Sequence, residues 1–348
     1  MSVYHFPVQR QQFRNGIFYD SVFMPAYPEA EEAKNAEVVF FSLTSEQNRP
    51  AAEEWRRHLS ALSGVPFETM SVADLGYYVY EEANGEDFFR LLMENILTFV
   101  KGRLFVITDR PDLLSRLIDV FDDEIRMAVF TPFIRYHGDE IEASVPGFKK
   151  MIKTAKLKSL SLLGIQNYYL SYEDIHFLQR NHNVEYVRLA EITKNTDTIE
   201  PYLRHADVVA VLPEAVEPEA YNIPVGIASG DILKSVYLSA LSPLNKQFWT
   251  GIQRKSLPLS ALMLWHYLRG TYNKITDFPF IKRTKLKKIT VQKNNLKKCY
   301  FFNPITGRYW VEEPEKSRSV EGLLPCTEDN YVFFKQNGEE LKNNNHLF

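Results

Sequence analysis

The chain has 348 residues, a formal net charge of −3 and a 45% apolar share, the balance of a globular protein with one large or two ordinary domains. A charge so near zero favours neither nucleic acid nor an anionic membrane as partner, and no apolar window is long enough to span a bilayer. Glycine is scarce at 15 residues, and the GxxxxGK[ST], GxGxxG and GxSxG patterns are absent, which excludes phosphate-loop, dinucleotide-fingerprint and nucleophile-elbow machinery.

Residues 1–36 read as an aromatic-rich lead without an apolar signal core, followed by a helix-prone acidic patch at 29–32. The apolar run 37–43 is of buried-strand type. Asn48-Arg-Pro50 opens a helix with proline in its first turn, and Trp55, Leu59 and Leu62 give that helix one apolar stripe. Phe88, Leu91, Leu92, Ile96 and Phe99 mark a helix over 87–100, and Gly102 separates it from a strand at 103–107. Further strands fall at 127–130, 160–164, 184–188 and 207–212. Helices fall at 172–181, 231–241 and 257–270, with Ser229 read as the cap of the second. Short apolar strands alternating with helices indicate a parallel sheet covered on both faces.

Past residue 275 the character changes. Lys and Arg crowd the stretch up to Lys298, where Asp277 is the only acid. Interleaved Leu286, Ile289 and Val291 read as an edge strand guarded by lysines rather than a nucleic-acid patch. Cys299-Tyr-Phe-Phe, a turn at 303–308 and Tyr309-Trp-Val-Glu form a β-hairpin. The expected division is a lead (1–36), an α/β domain (37–275) and a basic segment with a C-terminal β extension packed on it (276–348). Cys299 and Cys326 are the only cysteines, too few for a disulfide framework and without a CxxC, which points to a reducing, cytoplasmic setting.

Several strings, in order, carry a family likeness. They are Ala73-Asp-Leu-Gly76, Leu163-Gly-Ile-Gln-Asn-Tyr-Tyr169, Glu200-Pro-Tyr-Leu-Arg-His-Ala-Asp207, the Trp-His-Tyr segment at 264–274, Thr306-Gly-Arg-Tyr-Trp310 and Leu324-Pro-Cys326. In this the chain resembles the ureohydrolase superfamily of arginase, agmatinase and formimidoylglutamase, nearest its divergent formimidoylglutamase-like branch. The resemblance implies a three-layer α/β/α fold with a mainly parallel, roughly eight-stranded sheet, here with the small C-terminal β-hairpin extension. It also implies hydrolysis of guanidino or formimino C–N bonds by two manganese ions at the carboxyl ends of the strands.

The family's three ligand motifs are degenerate here. GGDH is replaced by Thr108-Asp109-Arg110-Pro111, with Arg110 at the aspartate and Pro111 at the histidine. DAHxD falls on Thr131, Pro132, Phe133 and Arg135 when placed at the mouth of the strand ending at Phe130. A four-residue slip gives Arg135-Tyr-His137-Gly-Asp139 instead. SxDxD becomes Ala210-Val-Leu212-Pro-Glu214, leaving Glu214 as the one carboxylate. The expected pocket is therefore vestigial, lined by Arg110, Thr131, Arg135 and Glu214, with no catalytic residues, metal or other cofactor. Arg110 and Arg135 are expected to stand where metal charge would have stood, paired with Glu214 or a neighbouring acid such as Asp109.

These readings lead to a catalytically degenerate ureohydrolase-fold protein that works by binding or assembly, as a homo-oligomer or with a protein partner. Two alternatives stay open. One is a formimidoylglutamase- or arginase-like hydrolase with a rebuilt single-manganese site at His137, Asp139 and Glu214. The other is a sensor of a small anionic ligand using Arg110 and Arg135. Among the histidines, His266 reads as a packed or half-exposed aromatic rather than a ligand, and His176, His182 and His205 as residues of surface helices or loops without an acidic orienter.

Overall fold

The computed structural model describes residues 5–7, 17–62, 70–80, 86–134, 148–216, 226–252, 255–274, 283–293, 296–304, 306–312 and 323–337. Its main sheet is built from β1 (His5–Phe6), β2 (Val22–Phe23), β3 (Val38–Thr44), β4 (Val72–Val79), β5 (Arg103–Thr108), β6 (Ile125–Phe130), β7 (Leu157–Ile165), β8 (Val184–Arg188), β9 (Val208–Val211) and β10 (Gln247–Gly251). An all-parallel array runs β4-β3-β5-β10-β9-β6-β7-β8. β1 joins β4 antiparallel and β2 joins it parallel, so the lead supplies two short strands and the sheet has ten rather than eight.

Side chains alternate across each strand, so the two faces of the sheet carry separate cores. Phe105, Ile107, Phe130, Val209 and Phe248 point to one face, where Trp55 and Leu59, Ile232 and Val236, and Leu264 and Leu268 come down from three helices, Arg49–Ser60, Ser229–Leu241 and Leu257–Asn273. Leu104, Val106, Met127, Val129 and Trp249 point to the other, covered by Phe89, Met93 and Ile96 of helix Glu86–Phe99 and by Leu117 and Ile118 of helix Leu114–Val120. Aromatic rings fill much of this space. Phe105 and Phe248, on paired strands, stack at 5.1 Å, and Tyr267 leans on both.

One end signal is corrected. Helix Ser229–Leu241 starts at Ser229 itself, with Ala228 as a cap that offers no side-chain bond. Asp231, in its first turn, instead accepts from the Thr196 hydroxyl.

The tail forms a second sheet of β11 (Lys287–Lys293), β12 (Leu296–Phe302), β13 (Tyr309–Glu312) and β14 (Leu323–Cys326), antiparallel in that order. The expected hairpin is β12–β13; Asn303 and Arg308 close its turn at 2.9 Å and Gly307 takes the left-handed φ of +72° that favours glycine. The lysine-guarded edge strand is β11. Helix Glu328–Asn337 covers one face, with Tyr331 and Phe334 against Tyr300. Two buried arginines dock the tail on the main body. Arg308 reaches Glu200 at 3.0 Å and the Leu238 carbonyl at 2.9 Å. Arg204, paired with Glu200, donates to the Tyr309 carbonyl at 3.1 Å and lies over the Trp310 ring.

Candidate functional site

In an open parallel sheet the carboxyl ends of the strands form the usual ligand crevice. Here the mouths stand in the order β5, β10, β9, β6, β7, and each residue predicted for the site can be followed to its strand end.

At the β5 mouth the side chains hold the local backbone. The Thr108 hydroxyl accepts from the Arg110 amide at 2.9 Å. Asp109 accepts from the Ser45 amide at 3.1 Å, from the Ser45 hydroxyl, and from Asn48 Nδ2 at 2.7 Å, which ties β5 to the turn Glu46–Asn48 after β3. Arg110 does not pair with Asp109. Its Nε and Nη2 close on Asp112 at 2.9 and 3.0 Å, and its guanidinium lies over the Tyr80 ring. Asp112 is buried and so cancels the positive charge expected at this mouth. Pro111 opens the short turn Pro111–Leu113 and is itself buried.

At the β6 mouth Thr131 is fully buried, and its hydroxyl donates to the Phe133 carbonyl at 2.8 Å. Phe133 packs inward, edge-on to Tyr169. Arg135, His137 and Asp139 lie outside the described residues, and with them the choice between the two registers and the pairing of Arg135 with Glu214.

At the β9 mouth Leu212 is buried, and Glu214 follows in the short helix Pro213–Val216 at 1% exposure. Glu214 is thus a buried carboxylate. Pro213 is wedged against β10, because a Cβ on Gly251 would sit 2.0 Å from its ring. Only glycine lets the two chains approach so closely. Thr131 and Glu214 end neighbouring strands, while β10 stands between Glu214 and Arg110, a separation of about 10 Å between strand axes.

The family's manganese would need carboxylates and imidazoles converging on one point. The described residues do not fit such a pair. Pro111, Thr131 and Leu212 bring no carboxylate or imidazole, and Asp109 is held by Ser45 and Asn48. Among the described residues no three His, Cys, Asp or Glu side chains are grouped to hold an ion. Nor does any described helix have the length and apolarity to cross a membrane.

Of the remaining histidines, His266 is half-buried beside Trp265, with its pKa lowered first by burial and then by Arg269. His205 departs from the surface reading. It lies at the opposite end of the sheet, 3.4 Å from Arg126 Nη1, and its pKa is lowered to about 4, mainly by burial and then by Arg126. The residues that carried no motif signal are Asp112, Tyr80, Gly251 and Arg126, the partner of Asp207; for Asp112 its place two residues after Arg110 was the one available cue.

No family model matches the chain, and no curated protein matches it. Its fold is similar to that of the Trypanosoma cruzi formiminoglutamase with Mn2+, at 13% identity and a TM-score of 0.57 over 70% of this chain and 95% of that one. The agmatine ureohydrolase of Thermoplasma volcanium gives 11% identity and 0.56, over 72% and 94% of the two chains. The Bacillus subtilis formimidoylglutamase gives 15% and 0.56, over 68% and 87%.

Proposed function

We propose that this chain, which has the arginase/ureohydrolase fold, acts by binding or assembly and not as a two-manganese hydrolase. One observation carries the reading: at the β5 and β6 mouths the side chains at ligand-motif positions serve the fold's own backbone and ion pairs. Asp109 holds Ser45, Arg110 holds Asp112, and Thr131 holds the Phe133 carbonyl. The Thr131 hydroxyl is not available to a metal without giving up a buried partner, which costs about 1–3 kcal/mol, and Asp109 would have to release three donors.

We read the working partner as a second copy of the chain or another protein, and the two-cysteine sequence as that of a cytoplasmic protein. The experiment is elemental analysis of the purified protein together with release of urea, ammonia or formamide from guanidino and formimino substrates. Absence of both stoichiometric manganese and turnover is the expected result. Manganese with turnover overturns it.

A second reading is favoured by Glu214, a carboxylate buried at 1% exposure where the family places metal ligands. In that reading Glu214 joins His137 and Asp139 in a single-metal hydrolase site. Stoichiometric metal that is lost in Glu214→Gln supports it over binding alone. The anion-sensor reading loses one of its two seats, because the Arg110 fork is already closed on Asp112.

A further inference from the structure

β11 is the outermost strand of the tail sheet. It pairs with β12 along its whole length, from Lys287 opposite Phe302 to Lys293 opposite Leu296. Among the described residues no backbone group of β11 bonds away from β12. One row of N–H and C=O groups along its outer side is therefore open to a further strand.

The charge along this edge has one sign, since the stretch 286–298 holds lysines and no Asp or Glu. Lys293 donates to the Lys335 and Gln336 carbonyls, and Lys298 lies over the Phe334 ring, so both are committed to helix Glu328–Asn337. Lys287 and Lys288 are exposed and have no acid partner among the described residues; Lys288 lies 5.6 Å from the centre of the Phe301 ring. The two faces of β11 differ. Ile289 and Val291 are half-buried against the Tyr300 and Phe334 cluster, with Lys287 and Lys293 flanking them on the same face. Lys288, Thr290 and Gln292 point to the other face, opposite Phe301, Cys299 and Lys297.

We propose that the β11 edge binds an acidic segment of a partner protein as an added fifth strand. Backbone hydrogen bonds would supply the ladder, and the side chains of β11 specify the alternation that the segment must carry. Beside Ile289 and Val291 it needs β-branched apolar residues, and beside Lys287 and Lys288 it needs acids. The β11 of a second copy does not fit. Antiparallel pairing centred on Thr290 sets Lys287 against Lys293 at both ends, and like charges placed opposite each other are destabilising. The lysine face also lacks the platform of a nucleic-acid site, because its rings, Phe301 and Trp310, are buried and leave no face for a base to stack on. The edge uses no residue of the strand mouths, so manganese and turnover there would leave this inference as it stands.

The test uses the full chain and the peptide Glu-Glu-Val-Thr-Val-Glu-Glu, labelled with fluorescein at its amino end and amidated at the other. This peptide presents the same pattern to β11 in either direction. The controls are a peptide of the same composition, Val-Glu-Glu-Thr-Glu-Glu-Val, and a single-stranded oligouridylate. Anisotropy titration is expected to show the first peptide binding about tenfold tighter than the rearranged one, and more weakly as salt rises. Hydrogen exchange is expected to slow at the β11 amides when the first peptide is bound. Lys287→Glu/Lys288→Glu is expected to weaken binding about tenfold while melting like the parent, since both side chains are exposed. The proposal is overturned if the peptide leaves β11 exchange unchanged, if the rearranged peptide binds equally well, if the double variant binds as the parent does, or if oligouridylate binds more tightly than the peptide.

Discussion

Replacing Asp74 by Asn is expected to destabilise the fold by about 3–5 kcal/mol, although the change alters a single atom pair. Asp74 and Arg56 face each other at 0% and 1% side-chain exposure, between β4 and the helix Arg49–Ser60. Asp74 Oδ1 accepts from Arg56 Nη2 and the Gly76 amide, both at 2.8 Å. Oδ2 accepts from Arg56 Nε at 2.8 Å and from the Tyr19 hydroxyl at 3.1 Å. Each oxygen therefore meets two donors, so an amide NH2 in either orientation faces two donors and loses both bonds. Two bonds to a charged group, at about 1.5–3 kcal/mol each, give a loss of about 3–6 kcal/mol. The cost of breaking a buried ion pair falls in the same range. Against a total stability of about 5–15 kcal/mol this is a large share. Urea unfolding followed by tryptophan fluorescence is well placed to read it, since the Arg56 guanidinium lies 5.5 Å from the Trp55 ring centre. Arg56→Met is expected to cost a similar amount, and Arg56→Met/Asp74→Leu less than the sum of its parts, because an apolar pair leaves no buried charge. A loss below about 1 kcal/mol in Asp74→Asn, or strict additivity in the double variant, refutes the reasoning.

Three further outcomes are expected. His205 titrates near 4 in the folded chain, against an ordinary 6.5. Below pH 6.5 the unfolded chain takes a proton that the folded chain refuses, so stability falls as pH drops toward 4, by at most about 3 kcal/mol. Denaturation midpoints at pH 7 and pH 4 check this, and His205→Asn removes that part of the slope; an unchanged slope contradicts it. Gly251→Ala drives a methyl to 2.0 Å from Pro213 and is expected to cost about 1–3 kcal/mol, seen as a lower melting temperature; a parent-like melt shows that Pro213 yields freely. The Cys326 thiol is pushed up to about 12, chiefly by burial, whereas Cys299 is half-buried. Iodoacetamide mapping is expected to label Cys299 first, and labelling of Cys326 at its denatured rate would count against the packing described.

The legible part of the fold was its rhythm. β3, β5, β6 and β9 each carry an uninterrupted apolar run, β7 and β8 short apolar pieces broken by a few polar residues, and the pattern exposes all six. β4 and β10 were hidden because their runs are broken by Asp74 and Gly76 in one and by Gln247, Thr250 and Gly251 in the other. Those interruptions are explained only by distant partners. Asp74 is matched by Arg56, and Gly251 makes room for Pro213. The site divides in the same way. Its positions follow from where strands end, so Thr108–Pro111, Thr131 and Glu214 were locatable. What each side chain holds was not, since Asp109 meets Ser45 from 64 residues away. Arg110 shows the limit most clearly: its charge was evident, but the acid that takes it was one of three nearby and only the bend after β5 selects Asp112.

The helix Glu200–His205 couples the tail to the main sheet. Glu200 and Arg204 grip the tail, and the chain then passes Asp207 and runs through β9 to Glu214. Residues 200–214 thus form an axle between the tail and the far mouth, with no loop of its own to absorb a displacement. A chain cut at Lys274 would strip Arg308 from Glu200 and the Tyr309 carbonyl from Arg204. The slack would be passed along β9 to Glu214, the buried carboxylate that follows its mouth.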